Sequence, residues 1–309
     1  MFFVLMVLIC QTALGCAEET KITPKLLPMS TGGDISYGLY QMDGEIEIDT
    51  HFQITSQTAL KRIFSFGNLI EYEREYKLLV FANYEQISFT VDDNKANLYH
   101  DFMAMPYEHI QFTITLPKLE DGYYDLLFVI VKDPNNISLD EEYRKQTDMS
   151  HLITMRYSLQ VGEKNKANEE IDKIVYDTSF DIVEDESLDG VFLNRETPRL
   201  KRLLTLDCAM LEKPQLFIHM GNQSDITKNY AVILLYDWQQ IQIKSLDVVY
   251  LAVPPKSRAS FPFLLGIEQK EKGVHNLTAI CVESPFQIAT IHSPRADFSI
   301  RIGINVKDN

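Results

Sequence analysis

The sequence is poor in the residue types and spacings that most catalytic and metal sites need. Four cysteines and seven histidines occur in 309 residues, with no H-E-x-x-H and no C-x-x-C spacing among them. A P-loop, a G-x-G-x-x-G turn and a G-x-S-x-G nucleophile elbow are also missing. We therefore predict a chain that needs no cofactor and is not an enzyme.

Positive charge is scarce as well. The chain has 29 Lys and Arg against 44 Asp and Glu, a formal net charge of −15. A nucleic-acid partner is disfavoured, because phosphates are neutralised by Lys and Arg. Electrostatic docking on anionic lipid is disfavoured for the same reason.

Long amphipathic helical patterns are absent, and short strand patterns take their place. Residues 110–116 alternate apolar and polar side chains, which is typical of a half-buried strand. After the Asp121-Gly122 turn, residues 123–131 are apolar on both faces, which indicates a central strand that is covered on both sides. Glu45–Ile54 also alternates and is predicted as a strand. Many short strands predict an all-β sandwich fold.

The turn before the central strand points to a particular kind of sandwich. Glu120-x-Gly122-x-Tyr124 resembles the tyrosine corner of immunoglobulin-like domains, in which a tyrosine hydroxyl bonds back across the turn. This resemblance implies immunoglobulin-like antiparallel sandwiches and carries over no functional residue.

The chain repeats itself, which predicts two such domains in tandem. Residues 76–89 align without a gap on residues 230–243, so that Tyr84 corresponds to Trp238. We expect Trp238 to pack at a strand end, with an exposed ring that stacks on a ligand as the alternative. Further correspondences are 122–126 with 273–277, 155–161 with 300–306, and Asp43-Gly44 with Asp189-Gly190. The predicted segments are a signal peptide at 1–15, a tether at 16–35, a first domain at 36–162, an acidic linker at 163–188 and a second domain at 189–309.

The N-terminal fifteen residues form an apolar run too short for a comfortable membrane-spanning helix. Residues 13–16, Ala-Leu-Gly-Cys, resemble a bacterial lipobox. The resemblance implies cleavage before Cys16 and attachment of a diacylglyceryl lipid to its sulfur, which would hold the protein on the extracytoplasmic face of the cell membrane. Ordinary secretion is the alternative, because Ala13-x-Gly15 also suits a conventional signal peptidase. The glycosylation sequons at Asn136, Asn222 and Asn276 matter only in a eukaryotic secretory pathway.

Two further sets of residues are weak site candidates. Cys208 and Cys281 would remain after removal of the signal peptide and lipidation, either as a disulfide or as free core cysteines. A weak match to a calcium-binding loop places candidate ligands at Asp185, Ser187, Asp189 and Glu196. Leu193 stands where a polar ligand is expected, so a turn is the preferred interpretation and we predict no metal.

These observations favour a non-catalytic cell-surface lipoprotein for binding, adhesion or envelope assembly. Its partner would be a surface protein or a glycan, bound through sandwich loops or edges. The loops at 92–108, 133–150, 244–257 and 284–296 are the predicted surfaces. The alternatives are an extracytoplasmic hydrolase or carbohydrate-active accessory protein with an unrecognised carboxylate site, and a structural spacer.

Overall fold

The computed structural model of the chain describes residues 35–56, 58–141, 144, 152–163, 171–177, 180–196, 199–266 and 271–308. The predicted signal peptide, Cys16 and nearly all of the tether lie outside these ranges. Within them, no helix has both the length and the apolar composition needed to cross a bilayer. The described chain is built of β-strands in four sheets, two in each half.

The first half forms a two-sheet sandwich. One sheet has the order β1-β3-β8-β6, and the other has the order β2-β10-β9-β4-β5, with β7 also paired to β4. Strand β2 runs parallel to β10, and the other pairs are antiparallel. The strands are β1 Ile35–Tyr40, β2 His51–Ile54, β3 Lys61–Asn68, β4 Arg74–Ala82, β5 Glu85–Gln86, β6 Thr90–Val91, β7 Tyr99–Ala104, β8 Glu108–Thr115, β9 Gly122–Lys132 and β10 Leu152–Val161.

The second half repeats most of this arrangement. Its sheets have the orders β11-β18-β14-β12 and β13-β21-β19-β15-β16, with β17 paired to β15 and β20 paired to β19. The strands are β11 Asp181–Glu184, β12 Gly190–Asn194, β13 Thr205–Ala209, β14 Gln215–Asn222, β15 Lys228–Tyr236, β16 Gln239–Ile241, β17 Val249–Val253, β18 Ser257–Leu264, β19 Gly273–Glu283, β20 Asp297–Phe298 and β21 Ile302–Lys307. The predicted fold class, tandem immunoglobulin-like β-sandwiches, is confirmed.

Strand register shows how the two copies correspond. Strand β1 places Ser36 opposite Gly67, and β12 places Gly190 opposite Gly221. Gly190 therefore corresponds to Ser36, whereas Asp43-Gly44 forms the turn after β1. The predicted correspondence of Asp43-Gly44 with Asp189-Gly190 is wrong, because Asp43-Gly44 lies in the turn after β1 whereas Gly190 is the first residue of β12.

Two strand predictions also differ from the structure. Only His51–Ile54 of the predicted strand at 45–54 is a strand, and Ile46 makes a single bridge to Tyr40. Ile48 is 74% exposed, so the alternating pattern there has no core to cover. Strand β11 lies inside the predicted linker and pairs with β18, so the second sandwich takes its edge strand from this segment.

The central strand β9 is covered on both faces, as its apolar pattern predicts. Leu126, Phe128 and Ile130 point into the core of the first sandwich. Leu127 and Val129 belong instead to a third cluster, which contains Ile233, Ile280 and other residues of the second sandwich. The sandwiches therefore pack sheet against sheet through an apolar layer.

Candidate functional site

The contacts that the two sandwiches make across their interface are related by an approximate two-fold axis. The backbone N–H of Gln86 donates to Oε1 of Gln240 at 2.6 Å, and the N–H of Gln240 donates to Oε1 of Gln86 at 2.8 Å. Each amide Nε2 also donates across the interface, from Gln86 to the Trp238 carbonyl and from Gln240 to the Tyr84 carbonyl. These equivalent residues face each other, which fixes how the two sheets meet.

A second equivalent pair locks the ends of the central strands. Arg156 donates to the carbonyls of Glu283 and Ser284, at 2.8 and 2.7 Å. Arg301, its counterpart, donates to the carbonyls of Lys132 and Asp133, at 2.6 and 2.8 Å. Each arginine therefore caps the end of the partner sandwich's long strand.

The neighbours of these two arginines differ. Asp125, which is fully buried, accepts two bonds from Arg156 Nε, at 2.9 and 3.1 Å, and one from its Nη2. Asp125 also accepts from the Tyr84 hydroxyl, and burial followed by the Asp125 charge raises the pKa of Tyr84 well above its usual value. Arg301 instead lies over the Trp238 ring, 4.7 Å from its centroid. The same anchor is thus stabilised by a carboxylate in one copy and by an aromatic face in the other.

Trp238 is 3% exposed, and its Nε1 donates to the Pro134 carbonyl at 2.8 Å. It is therefore a packing residue of the interface, as expected. The loops that begin at 133 and 284 meet this interface, because their first carbonyls accept from the two arginines. Part of each predicted binding loop, 133–150 and 284–296, is consequently buried between the sandwiches. The loop at 92–108 contains β7, and the loop at 244–257 contains β17.

The predicted tyrosine corner is present. The Tyr124 hydroxyl donates to the Glu120 carbonyl at 3.1 Å. In the second copy His275 takes this place, with Nε2 2.9 Å from the Glu271 carbonyl. The corner is therefore a turn-fixing contact in both copies.

Cys208 and Cys281 are not joined by a disulfide in the structure. Both are buried in the core of the second sandwich. Burial raises the pKa of the Cys281 thiol well above its usual value, which keeps the sulfur protonated and inert. The candidate disulfide between them is thus not formed, and the free-cysteine alternative describes the structure.

The candidate calcium ligands do not converge on one point. Asp185 accepts from the Ser187 backbone at 2.8 Å and pairs with Arg258 at 3.1 Å. The hydrogen bond from Ser187, and less so Arg258, lowers the pKa of Asp185. Asp189 accepts from Gln223, and the Glu196 backbone donates to Asn194. Among the described residues no group of acidic, histidine or cysteine side chains is arranged to hold a metal ion.

A buried serine, histidine and asparagine form the most enzyme-like geometry in the described chain. Nδ1 of His219 lies 2.7 Å from the Ser260 hydroxyl, and Nε2 lies 2.9 Å from Oδ1 of Asn194. His219 is fully buried, and burial lowers its pKa to about 4. All three side chains are buried, which keeps a substrate away from the Ser260 hydroxyl, so these contacts organise the outer face of the second sandwich.

Carboxylates also come together in a cavity of the second sandwich. This cavity of about 290 Å³ is lined by Asp189, Asp297, Glu283 and the cations Lys228 and Arg295. Burial raises the pKa of Asp297, while the backbone N–H of Val191 donates to it at 3.2 Å. This cavity is the site that fits the alternative prediction of a carboxylate site.

The clearest exposed surface lies at one end of the first sandwich. Tyr72, Met103, Met105 and Tyr107, here called tip 1, are 54%, 51%, 49% and 58% exposed. The buried amide of Asn68 holds this end together by donating to the carbonyls of Tyr72, Ala104 and Met105 at 2.9, 3.2 and 3.0 Å. Exposed tyrosine and methionine are typical of protein-binding surfaces.

The equivalent end of the second sandwich has the same frame and other side chains. Asn222 donates to the carbonyls of Ile226, Val253 and Pro254 at 2.8, 2.9 and 3.0 Å, which repeats the Asn68 bonds in register. The side chains equivalent to tip 1, here called tip 2, are Ile226, Ala252, Pro254 and Lys256. Tyr107 and Lys256 share a positive φ, 59° and 50°, so the turn itself is also repeated.

Two of the three sequons are closed by the fold. Asn222 is fully buried with its amide nitrogen engaged as above, and Asn276 is 3% exposed. A glycan on either nitrogen would break this packing. Only Asn136, which is half-buried, keeps partial access.

Comparison with known proteins assigns the chain to no family. No protein-family model matches the chain. No curated protein matches it either. A CARDB domain from Pyrococcus furiosus is 10% identical, covering 47% of this chain and 99% of its own, with a TM-score of 0.28. The Salmonella enterica SafA pilin in complex with the SafB chaperone is 12% identical, covering 89% and 97%, with a TM-score of 0.26. At these values the likenesses carry no argument about function.

Proposed function

We propose that this protein is a lipid-anchored, extracytoplasmic binding module without catalytic activity, which docks a partner through tip 1. The observation that carries this proposal is the repeat. One Asn-centred frame occurs twice, and only the first copy displays two tyrosines and two methionines on it. The rigid interface supports the proposal, because it holds tip 1 on a firm scaffold.

The path of the chain gives the proposal a geometry. Strand β1 begins at Ile35, directly opposite Asn68, so the chain enters the first sandwich at the tip 1 end. Cys16 precedes Ile35 by 19 residues, from 35 minus 16. An extended chain of that length spans at most about 65 Å. A lipid on Cys16 would therefore keep tip 1 near the bilayer, and its partner would belong to the cell envelope.

The anchor is tested by intact mass spectrometry of the membrane fraction from the native host. We expect a chain that begins at residue 16 and carries a diacylglyceryl mass, and we expect a Cys16→Ala variant to lose both. An unlipidated chain found in the medium would show that the protein is secreted and would contradict the lipid anchor.

The binding surface is tested by photo-crosslinking on intact cells. Chains carrying p-benzoylphenylalanine in place of Tyr107, or in place of Lys256 as the matched control, are irradiated in the native host. We expect a discrete crosslinked product from the first position only, and we expect Tyr72→Ile with Met103→Ala to reduce its yield several-fold. Equal yields of crosslinked product from positions 107 and 256 would contradict the assignment of tip 1 as the binding surface.

The cavity around Asp297 favours one alternative, a hydrolase in which this acid donates a proton. Its pKa is raised in the direction that a general acid requires. Hydrolysis of a polysaccharide panel by the wild-type chain, abolished by Asp297→Asn, would establish this alternative. Wild-type turnover no higher than that of the variant would contradict this alternative.

A further inference from the structure

Beside tip 1 lies a hollow of about 350 Å³, lined in part by Glu73, Glu75, Met103 and Asp133. Strand pairing places Met103 opposite Glu75, so the hollow opens at the edge of the apolar surface. An inference about what enters this hollow rests on the proposed function of tip 1.

Carboxylates outnumber cations in this hollow. Asp133 is paired with Arg74 at 3.2 Å, and Glu75 accepts from the neutral amide of Asn135 at 2.9 Å. Glu73 is exposed and forms no ion pair with any residue in the described ranges. Three acids against one arginine leave a net charge of about −2, which attracts a cation.

The apolar part of the surface is held in place. The Arg74 guanidinium lies 5.1 Å from the centroid of the Tyr72 ring, and its Nη2 donates to the Tyr72 hydroxyl at 2.9 Å. This contact limits the motion of an exposed aromatic ring, which lowers the entropy cost of binding. A partner would therefore meet an ordered aromatic and methionine surface next to a negative hollow.

Tip 2 lacks the exposed tyrosine and methionine side chains of tip 1. Lys256 stands in the place of Tyr107. Its Nζ donates to the Gln223 carbonyl at 2.6 Å and pairs with the Asp225 carboxylate at 3.4 Å. Lys228, in the place of Arg74, pairs with Glu283 at 3.0 Å. Tip 2 would leave the apolar side chains of such a partner uncovered by tyrosine or methionine, which gives a reason for binding at one end of the molecule only.

We infer that the partner of tip 1 is a protein segment that presents an arginine or lysine between apolar side chains. The cation enters the hollow beside Glu73 and Glu75, and the flanking apolar side chains cover Tyr107 and Met103. The two parts act together, because neither the charge nor the apolar surface alone selects such a segment.

The test uses the mature full-length chain and three synthetic twelve-residue peptides of alternating sequence. One alternates Arg with Leu, the second replaces every Arg with Glu, and the third replaces every Leu with Ser. Affinity is measured by calorimetry at 0.15 M salt. The matched charge control for Glu73→Gln with Glu75→Gln is Asp43→Asn with Glu45→Gln, which lies beyond the opposite end of β1.

We expect the Arg-Leu peptide to bind at least about tenfold more tightly than either other peptide. The Glu73/Glu75 variant should lose about tenfold in affinity, and the Asp43/Glu45 control less than twofold. Equal losses in both variants would reduce the effect to net charge and overturn the inference. Tighter binding after Lys21→Ser and Lys25→Ser would also overturn it, because the chain's own N-terminal segment would then be the occupant.

Binding of neutral phosphatidylcholine vesicles through tip 1, with no peptide binding, would identify a lipid surface and overturn the inference. Failure of the peptides alongside a specific crosslink from position 107 would refute the basic segment and leave the proposed function standing. Failure of both experiments would refute the proposed function itself.

Discussion

Tip 1 and tip 2 are built on one frame and present different surfaces. Asn68 and Asn222 make the same three backbone bonds, and both turns pass through a residue with positive φ. Because the second frame forms without exposed tyrosine or methionine, those side chains are not required to build the tip. The difference therefore separates what this end of a sandwich needs for folding from what the first copy adds.

The interface gives a complementary comparison. Gln86 and Gln240 make equivalent bonds, and Arg156 and Arg301 reach equivalent carbonyls. Asp125, however, corresponds to Asn276 in the second copy. The hydrogen bonds to backbone groups are therefore equivalent in the two copies, whereas the side chain that neutralises the buried arginine is present only in the first.

The largest effect is expected from breaking this charge asymmetry. Asp125→Ala leaves Arg156 buried beside no carboxylate and removes the acceptor of Tyr84, so the free energy of unfolding should fall by about 3–5 kcal/mol. Asn276→Ala removes only a 3.3 Å bond to the Asn136 carbonyl and should cost about 1 kcal/mol. Urea denaturation followed by tryptophan fluorescence measures both. Equal losses would show that the two positions are energetically alike.

A second expected difference is acid sensitivity. Burial, followed by the Arg258 charge, lowers the pKa of His219 to about 4, while its counterpart in the first sandwich is Ser65. Between pH 6.5 and 4 the unfolded chain binds a proton that folded His219 does not. The contribution of neutral His219 is thus fully present above pH 6.5 and is lost as pH falls toward 4, by about 3 kcal/mol in total.

The measurement is the urea midpoint between pH 7 and pH 4. We expect His219→Gln to reduce the slope of the unfolding free energy against pH by an amount that corresponds to about one proton. Burial also lowers the pKa of His51 and of His100, so part of the decline should remain in this variant. An unchanged slope would show that His219 does not titrate across this window.

A smaller effect should test the interface symmetry. Gln86→Ala and Gln240→Ala each remove one side-chain acceptor and one donor that cross the interface. Each should cost about 1–2 kcal/mol, and the two costs should agree within about 0.5 kcal/mol. If calorimetric unfolding gave clearly different stability losses for the two variants, the two-fold relation would hold for the geometry of the interface and not for its energetics.

Much of the fold is predictable from the sequence, because alternation and repetition record it directly. The predicted strands at 110–116 and 123–131 match β8 and β9 to within two residues at each end, and the alignment of 76–89 with 230–243 matches β4 with β15. Strand β7 was not predicted, because Tyr99–Ala104 mixes apolar and charged side chains on an exposed strand. Position in the sheet, rather than pattern, makes it a strand.

Sequence patterns of this kind do not predict the interface or tip 1, and the reason is physical. The double-sided apolar pattern of β9 requires a second cover, yet nothing in it says that the cover is the other sandwich. Arg156, in the middle of β10, and Arg301, just before β21, look like ordinary cations until their carbonyl partners are seen. The repeat alignment did contain a usable signal for the tips, since Tyr72 and Ile226 stand four residues after equivalent asparagines.

The smallest effect on stability is expected where the largest effect on binding is proposed. A tip exchange that gives the first copy the side chains of the second, Tyr72→Ile, Met103→Ala and Tyr107→Lys, changes only half-exposed positions. Its free energy of unfolding should stay within about 0.5 kcal/mol of wild type, because surface changes away from buried contacts are nearly neutral. Met105 is left in place, since its N–H donates to Glu108 at 2.7 Å and proline would remove that bond.

The same variant should lose at least about tenfold in affinity for the Arg-Leu peptide, which calorimetry measures on the same samples. Retained stability with lost affinity would separate the binding surface from the frame that carries it. A loss of more than about 1.5 kcal/mol in stability would mean that these side chains support the fold. The difference between the two tips would then reflect packing, and the comparison would no longer favour a binding surface.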